Sequence, residues 1–320
     1  MAVKVVITEA EYRKGEAVFA AAPDFAFVPV SGAEPEVAAA VRREGARYVI
    51  VGVQRCTGAL YEALPRGGVI ARFGVGYDSI SLDEVARHGL YCINTPGTLE
   101  RSVAEFAIGL LLTAARNIAA GSAALKAGAW RAFGGNELAG KNLLIVGCGA
   151  IGRRTARIAR DGFGMTILGC GRRPENPDPA LFARYSDDFA AVAGEADFVS
   201  LHIPDTPATH HYLNRERLAL LKPEAIVINT ARGAVLNEND LYDAVAAGRI
   251  AGAALDVFCE EPYRPADPAK DLRTLPQVVL TPHLGGCTAE TCARVAASLL
   301  GDLRLAEAGK PENMHLVNRS

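Results

Sequence analysis

A chain of 320 residues, half of them hydrophobic and with a formal net charge of −2, carries enough apolar side chains for one large core or two ordinary ones. The near-neutral balance, with no basic run, argues against nucleic acid or an anionic membrane as a partner. The seven cysteines are odd in number and lack CxxC spacing, which fits reduced thiols and a cytoplasmic location.

In chain order, residues 3–8 form a strand pattern that meets Glu9 and Glu11 too early for a signal peptide, so no export is expected. Strands are predicted at 25–30, 48–53, 68–73 and 90–94, separated by alanine-rich amphipathic stretches near 10–20, 34–44, 57–64 and 81–88. A long helix is predicted from about Ser102, with Glu105 in its first turn. Its apolar stretch, residues 103–115, falls short of the ~20 residues that cross a bilayer, so a buried helix and no membrane are expected. Further strands are predicted at 143–147, 166–169, 198–203, 225–229, 253–257 and 278–280, with helices between them and a last helix over 289–305. The alternation predicts an α/β protein of two doubly wound parallel-sheet domains. The proline-rich stretches 174–179 and 262–268 read as surface loops.

The first chemical motif is Gly147-Cys148-Gly149-Ala150-Ile151-Gly152, which follows a strand and opens a helix running to Arg160 and ending before Gly162. Gly147 permits the tight turn, Gly149 lets a pyrophosphate approach the backbone, and Gly152 allows close helix–strand packing, with the phosphates at the helix N-terminus. Some twenty residues on, where a carboxylate usually meets the ribose 2′-hydroxyl, the chain reads Gly171-Arg172-Arg173. Two guanidinium groups suit a 2′-phosphate, so NADP(H) is preferred and NAD(H) is possible. The alternative is that both arginines are solvated while Glu175 serves a ribose.

Arg232, Glu261 and His283 each follow a predicted strand at its C-terminal end, where open α/β sheets place ligands. A guanidinium stabilises the charge that grows on a carbonyl oxygen during hydride delivery, and an imidazolium supplies the proton. A carboxylate beside an imidazole favours its charged form, so a cation, a carboxylate and an imidazole together suit such chemistry.

With these residues in view, the chain resembles the D-isomer-specific 2-hydroxyacid dehydrogenases over nearly its whole length. The matching segments are Arg72-Phe73-Gly74-Val75-Gly76-Tyr77-Asp78, Asn94-Thr95-Pro96-Gly97, Ser102-Val103-Ala104-Glu105, the Gly147 turn, Asn229 to Gly233, Leu255 to Pro262, and Thr281-Pro282-His283. The resemblance implies a Rossmann-type cofactor domain, residues 100–286, inserted in a flavodoxin-like substrate domain, residues 1–99 and 287–320, with the active site between them. It implies that Arg232 binds the substrate carboxylate and carbonyl, that His283 is the proton donor or acceptor paired with Glu261, and that the amides of Val75 and Gly76 receive the carboxylate. Asp256 is implied to hold the nicotinamide, and Ala150, Ile151, Pro204 and Thr230 to contact the cofactor. The substrate implied is a small 2-oxo acid, and Gly171 is similar to the NADPH-preferring glyoxylate and hydroxypyruvate reductases. The helix from Val103 carries more apolar surface than one side needs, as in the family's homodimers.

Two other readings stand beside this one: a dinucleotide-sensing binding protein without turnover, like the corepressors that resemble these enzymes, and a Gly-rich methyltransferase. Neither needs the Arg, Glu and His set. Gln54 and Arg55 are placed either toward the substrate's side group or toward solvent. No carboxylate or thiol stands at ligand spacing from His210-His211, so that pair is expected in a solvated loop with no metal. Cys148 is expected as small-residue filler rather than a redox thiol. Trp130 is expected in the core, with a subunit anchor as its alternative, and Ser81 has no assigned role.

Overall fold

The computed structural model describes residues 2–318. They divide into two compact units, one of residues 2–99 with 286–318, the other of Glu100–Gly285. Each is an α/β unit built on one parallel sheet.

Unit 1 runs β1 (Val3–Thr8), α1 (Glu9–Ala20), β2 (Phe25–Val30), α2 (Glu34–Glu44), β3 (Tyr48–Val51), α3 (Ala59–Ala63), β4 (Val69–Arg72), α4 (Leu82–Arg87) and β5 (Tyr91–Ile93). The strand order is β2-β1-β3-β4-β5, the flavodoxin-like order with its switch between β1 and β3. Successive residues of a strand face opposite sides, and each side of the sheet has its own core. Val5 and Ile7 pack with Phe19 and with Val295, Leu299 and Leu303 of the C-terminal helix Ala289–Glu307. Val6 packs with Val37, Val41 and Leu60 on the other side. The end of the chain pairs with the sheet edge, Leu316 bridging Ile93 and the Val317 amide donating to the Cys92 carbonyl at 2.9 Å.

Unit 2 contains α5 (Glu100–Ala115), α6 (Ile118–Lys126), β6 (Asn142–Val146), α7 (Ala150–Phe163), β7 (Thr166–Cys170), β8 (Arg184–Ser186), α8 (Ala190–Ala193), β9 (Phe198–Leu201), α9 (Arg215–Leu218), β10 (Ile226–Asn229), α10 (Glu238–Ala246), β11 (Gly252–Leu255) and β12 (Val278–Leu280). Read from one edge, the order β8-β7-β6-β9-β10-β11-β12 is the dinucleotide-binding order with one strand added, and it reverses between β6 and β9. Leu143, Ile145 and Ile228 face Ile108, Leu111 and Ala156 of α5 and α7. Leu144, Val146 and Val227 face Val192, Leu218 and Leu241 of α8, α9 and α10. The central strands are therefore buried on both faces, the reason they read as unbroken apolar runs.

Several sequence expectations need correction. The helix after the glycine turn does not stop before Gly162 but continues to Phe163, where Gly164 at φ 64° supplies the left-handed cap. Glu105 lies in the second turn of α5, which begins at Glu100. The apolar surplus assigned to the helix from Val103 lies one helix later, since Val103, Ile108, Leu110 and Leu111 are consumed by the unit's own core. In α6 no residue is buried, and Ile118 and Leu125 are exposed. Trp130 is not a core residue, being 93% exposed. The three-residue strand β8 escaped prediction because it is short and only half-buried. Among the described residues no single helix is long and apolar enough to cross a membrane. Glu100–Ala115 and Ile118–Lys126 satisfy length and composition only as a pair, bent by 63° at its break.

Candidate active site

The glycine turn has the geometry its sequence demands. Gly147 adopts φ 98°, and a Cβ there would lie 2.4 Å from the His202 carbonyl oxygen. A Cβ on Gly152 would lie 2.2 Å from the Gly147 carbonyl oxygen, so only glycine lets α7 rise so close to β6. At Gly149 a Cβ would meet nothing within 4 Å, which leaves the backbone accessible there. Gly149 is also the N-cap and offers no side-chain acceptor to the first-turn amides, which include Ala150 and Ile151. No acidic residue stands in that turn, so the positive end of a 14-residue helix is open to an anion. The buried Thr230 hydroxyl, past β10, has no hydrogen-bond partner among the described residues. An anion-ready helix end and an orphaned buried hydroxyl on one sheet edge are features a bound dinucleotide would satisfy.

The remaining cofactor candidates are spread along the same edge of the sheet. Arg172 and Arg173 leave the end of β7 exposed, as does Glu175, and Pro204 sits in the exposed loop after β9. Cys148 fills space: its Sγ lies 3.7 Å from the carbonyl oxygens of Ile145 and Cys170, and burial pushes its thiol up to about 12.

The structure gathers the catalytic candidates from three loops. Past β10, the Asn229 side chain accepts from the Ala231 amide at 3.0 Å and donates to the Arg232 carbonyl at 2.9 Å, shaping the turn that presents Arg232. Gly233 packs its backbone directly on Phe258 and Cys259, which brings the loops after β10 and β11 into contact. Glu261 accepts from the Phe258 amide at 3.1 Å through one oxygen and stands 2.7 Å from His283 Nδ1 through the other. Burial opposes ionisation of Glu261. The hydrogen bond and charge of His283, the Phe258 amide and the Arg232 guanidinium outweigh it and hold the carboxyl below its ordinary value. Arg232 is therefore near enough for its charge to act on Glu261. Both members of the His–Glu pair remain partly accessible, at 37% and 25%.

Asp256 does work that sequence reasoning missed. It is 1% exposed, and its Oδ1 accepts from the Thr281 hydroxyl at 2.6 Å and the Leu284 amide at 2.8 Å. Its Oδ2 accepts from the Gly285 amide at 2.8 Å. Between these donors His283 has a left-handed backbone, φ 55°, with its own amide 2.8 Å from the Asp256 carbonyl. Two successive amides around a left-handed residue, both aimed at a carboxylate, form an anion nest occupied by the protein's own side chain. The buried Ser102 hydroxyl donates to the Gly285 carbonyl at 2.7 Å and closes the loop. The available signal was Thr281, the only hydroxyl beside Pro282-His283.

In unit 1, Val75 and Gly76 lie half-buried in the loop after β4, and Asn94 donates to the Val75 carbonyl at 2.7 Å. Gln54 has a buried amide nitrogen with no partner among the described residues, whereas Arg55 is exposed. Ser81 gains a role as the N-cap of α4, accepting from the Glu84 amide at 3.3 Å. His210 lies exposed in the loop after β9, with Asp205 3.3 Å from its Nδ1.

Residues 108–285 match the family model of the D-isomer specific 2-hydroxyacid dehydrogenase NAD binding domain. A glyoxylate reductase of Thermococcus litoralis is 43% identical over 241 residues, 72% of this chain and 71% of that protein. A hydroxypyruvate reductase of Thermotoga maritima is 40% identical over 255 residues, 79% of this chain and 81% of that protein. Among solved structures, an NADPH-dependent glyoxylate/hydroxypyruvate reductase from Sinorhizobium meliloti in complex with NADP and malonate is similar with a TM-score of 0.82. It is 28% identical and covers 95% of this chain and 93% of its own. Together with the paired His283 and Glu261 and the open glycine turn, these matches place the chain in the D-isomer specific 2-hydroxyacid dehydrogenase family, as an NAD(P)-dependent oxidoreductase.

Proposed function

We propose that this protein reduces a small 2-oxo acid, glyoxylate or hydroxypyruvate, to the D-2-hydroxy acid with NADPH in preference to NADH. The observation that carries the reading is the His283 Nδ1 to Glu261 Oε2 contact at 2.7 Å, with the Arg232 charge acting on the same carboxylate. When bound, the reduced nicotinamide supplies the hydride for the carbonyl carbon. Arg232 faces the carboxylate and carbonyl oxygen with a guanidinium that stabilises the growing negative charge. His283 gives its proton to that oxygen, and Glu261 orients the ring through Nδ1.

The cofactor is assigned to Gly147, Gly149, Ala150, Ile151 and Gly152 for the pyrophosphate, with Pro204, Thr230 and Asp256 further along the sheet edge. Each carboxylate oxygen carries more than one lone pair, so Asp256 retains acceptor capacity beyond the loop it clamps. The preference for NADPH rests on Gly171, which offers no carboxylate to a ribose, and on Arg172 and Arg173, whose guanidinium groups suit a 2′-phosphate. The named activities of the Thermococcus and Thermotoga relatives support the substrate class, and the Sinorhizobium reductase supports the coenzyme. In unit 1, the amides of Val75 and Gly76 are assigned to a substrate carboxylate. The exposed apolar residues Ile118, Leu125 and Trp130 are assigned to a homodimer interface in a cytoplasmic enzyme.

The test is a spectrophotometric panel of 2-oxo acids run with NADPH and NADH in parallel. Glyoxylate or hydroxypyruvate should be reduced fastest with NADPH, and Arg232→Ala and His283→Ala should each lower the rate by about 10² or more. Turnover unaffected by either substitution would refute the assignment. Binding of NADPH with no turnover of any 2-oxo acid would move the protein to the sensing class.

A further inference from the structure

The end of β7, where a ribose-binding carboxylate would stand, is covered by one aromatic side chain. Tyr185 lies in the edge strand β8, in register with Gly169. Its ring is so close that a Cβ on Gly169 would fall 2.7 Å from ring carbon Cδ2. A Cβ on Gly171 would fall 2.5 Å from the phenol oxygen. The ladder continues past the named strands, with the Gly171 amide donating to the Ser186 carbonyl at 3.2 Å, so the ring is held over this exit by backbone pairing. The phenol hydroxyl donates to the Arg173 carbonyl at 2.8 Å.

Two consequences follow from one side chain. A carboxylate-bearing residue at 171 would press its Cβ on the phenol oxygen, so the end of the Tyr185 side chain must shift, and its hydrogen bond to the Arg173 carbonyl with it, before such a group can be admitted. The turn that carries Arg172 and Arg173 is tied at its own backbone, so the two guanidinium groups are presented from a fixed base with less chain entropy to lose when an anion binds. We infer that Tyr185 is a positioning residue for coenzyme choice, hindering a ribose-binding carboxylate and tethering the arginine turn in favour of a 2′-phosphate. The inference rests on the NADPH reading above and deepens it.

The experiment titrates the purified protein with 2′,5′-ADP and with 5′-AMP by calorimetry, which reads binding without turnover. The native protein should prefer 2′,5′-ADP. Tyr185→Phe removes the hydroxyl and keeps the ring, so 2′,5′-ADP affinity should fall by more than about twofold and at most roughly 10-fold, the limit set by one hydrogen bond, while 5′-AMP affinity stays within about twofold. Gly171→Asp should gain 5′-AMP affinity in a Tyr185→Ala background and not in the native one. A native protein that binds 5′-AMP as well as 2′,5′-ADP overturns the coenzyme reading and this inference with it. A native preference for 2′,5′-ADP that survives Tyr185→Phe overturns the inference alone, as does an equal loss for both nucleotides.

Discussion

Replacing Asp256 by Asn tests whether a single carboxylate holds the loop that carries His283. In the native protein three donors converge on it at 2.6–2.8 Å, two of them the backbone amides of Leu284 and Gly285. An asparagine keeps one oxygen and turns an amide N–H toward a donor, so at least one buried N–H loses its acceptor. A hydrogen bond to a charged group is worth about 1.5–3 kcal/mol, and the left-handed backbone of His283 stores about 1–3 kcal/mol that the clamp offsets. The loop should therefore open without unfolding the unit. Exchange of the Leu284 and Gly285 amides should accelerate by roughly 10- to 150-fold, the same energies converted at about 1.4 kcal/mol per tenfold. The kcat for 2-oxo acid reduction should fall by about tenfold or more as His283 loses its place. Thr281→Val, which removes only the hydroxyl bond, should show a smaller change in the same direction. Native exchange rates at Leu284 and Gly285 together with native kcat in Asp256→Asn would show that the clamp does not hold the loop.

Gly149→Ala should fold and melt like the native protein, because its Cβ meets no atom within 4 Å. NADPH should nevertheless bind about tenfold more weakly or worse, a cost of ~1.4 kcal/mol, if the pyrophosphate approaches that backbone, and calorimetry reads the difference. Gly152→Ala should instead lower the melting temperature, since its Cβ lands 2.2 Å from a backbone oxygen and overpacking of this kind costs about 1–3 kcal/mol. Folding lowers the Glu261 carboxyl below its ordinary 4.5, so the folded state binds fewer protons there. This contribution is complete above 4.5 and is lost as the pH falls through the folded value. Melting temperatures followed through that window should decline less steeply for Glu261→Gln than for the native protein, and parallel curves would contradict the pairing. If the proposed homodimer forms through this face, Leu125→Glu combined with Trp130→Ser should give a monomer in light scattering where the native protein gives a dimer, while leaving the melting of each unit intact. An unchanged mass would move the interface elsewhere.

Much of the architecture was legible because its causes are local. The unbroken apolar runs at 143–147 and 225–229 follow from strands buried on both faces, and the glycine turn follows from backbone angles and contacts that only glycine tolerates. Arg232, Glu261 and His283 were legible as candidates because each lies on a loop beyond a strand end, and parallel strands deliver such loops to one edge of a sheet. Their pairing was an expectation borrowed from the family. The distance between His283 and Glu261 depends on two loops 22 residues apart, which no local pattern encodes.

The sequence by itself determined the alternation of elements, the phosphate turn and the residue types available for hydride-transfer chemistry, because helix and strand periodicity and glycine stereochemistry act within a few residues. Tertiary structure alone decided that Trp130 faces solvent, that Tyr185 covers Gly171, and that Asp256 grips the loop of His283. Those outcomes depend on which surfaces are left after the core has taken its share and on which distant segments meet, and side-chain burial and hydrogen bonding settle both only once the chain has closed on itself.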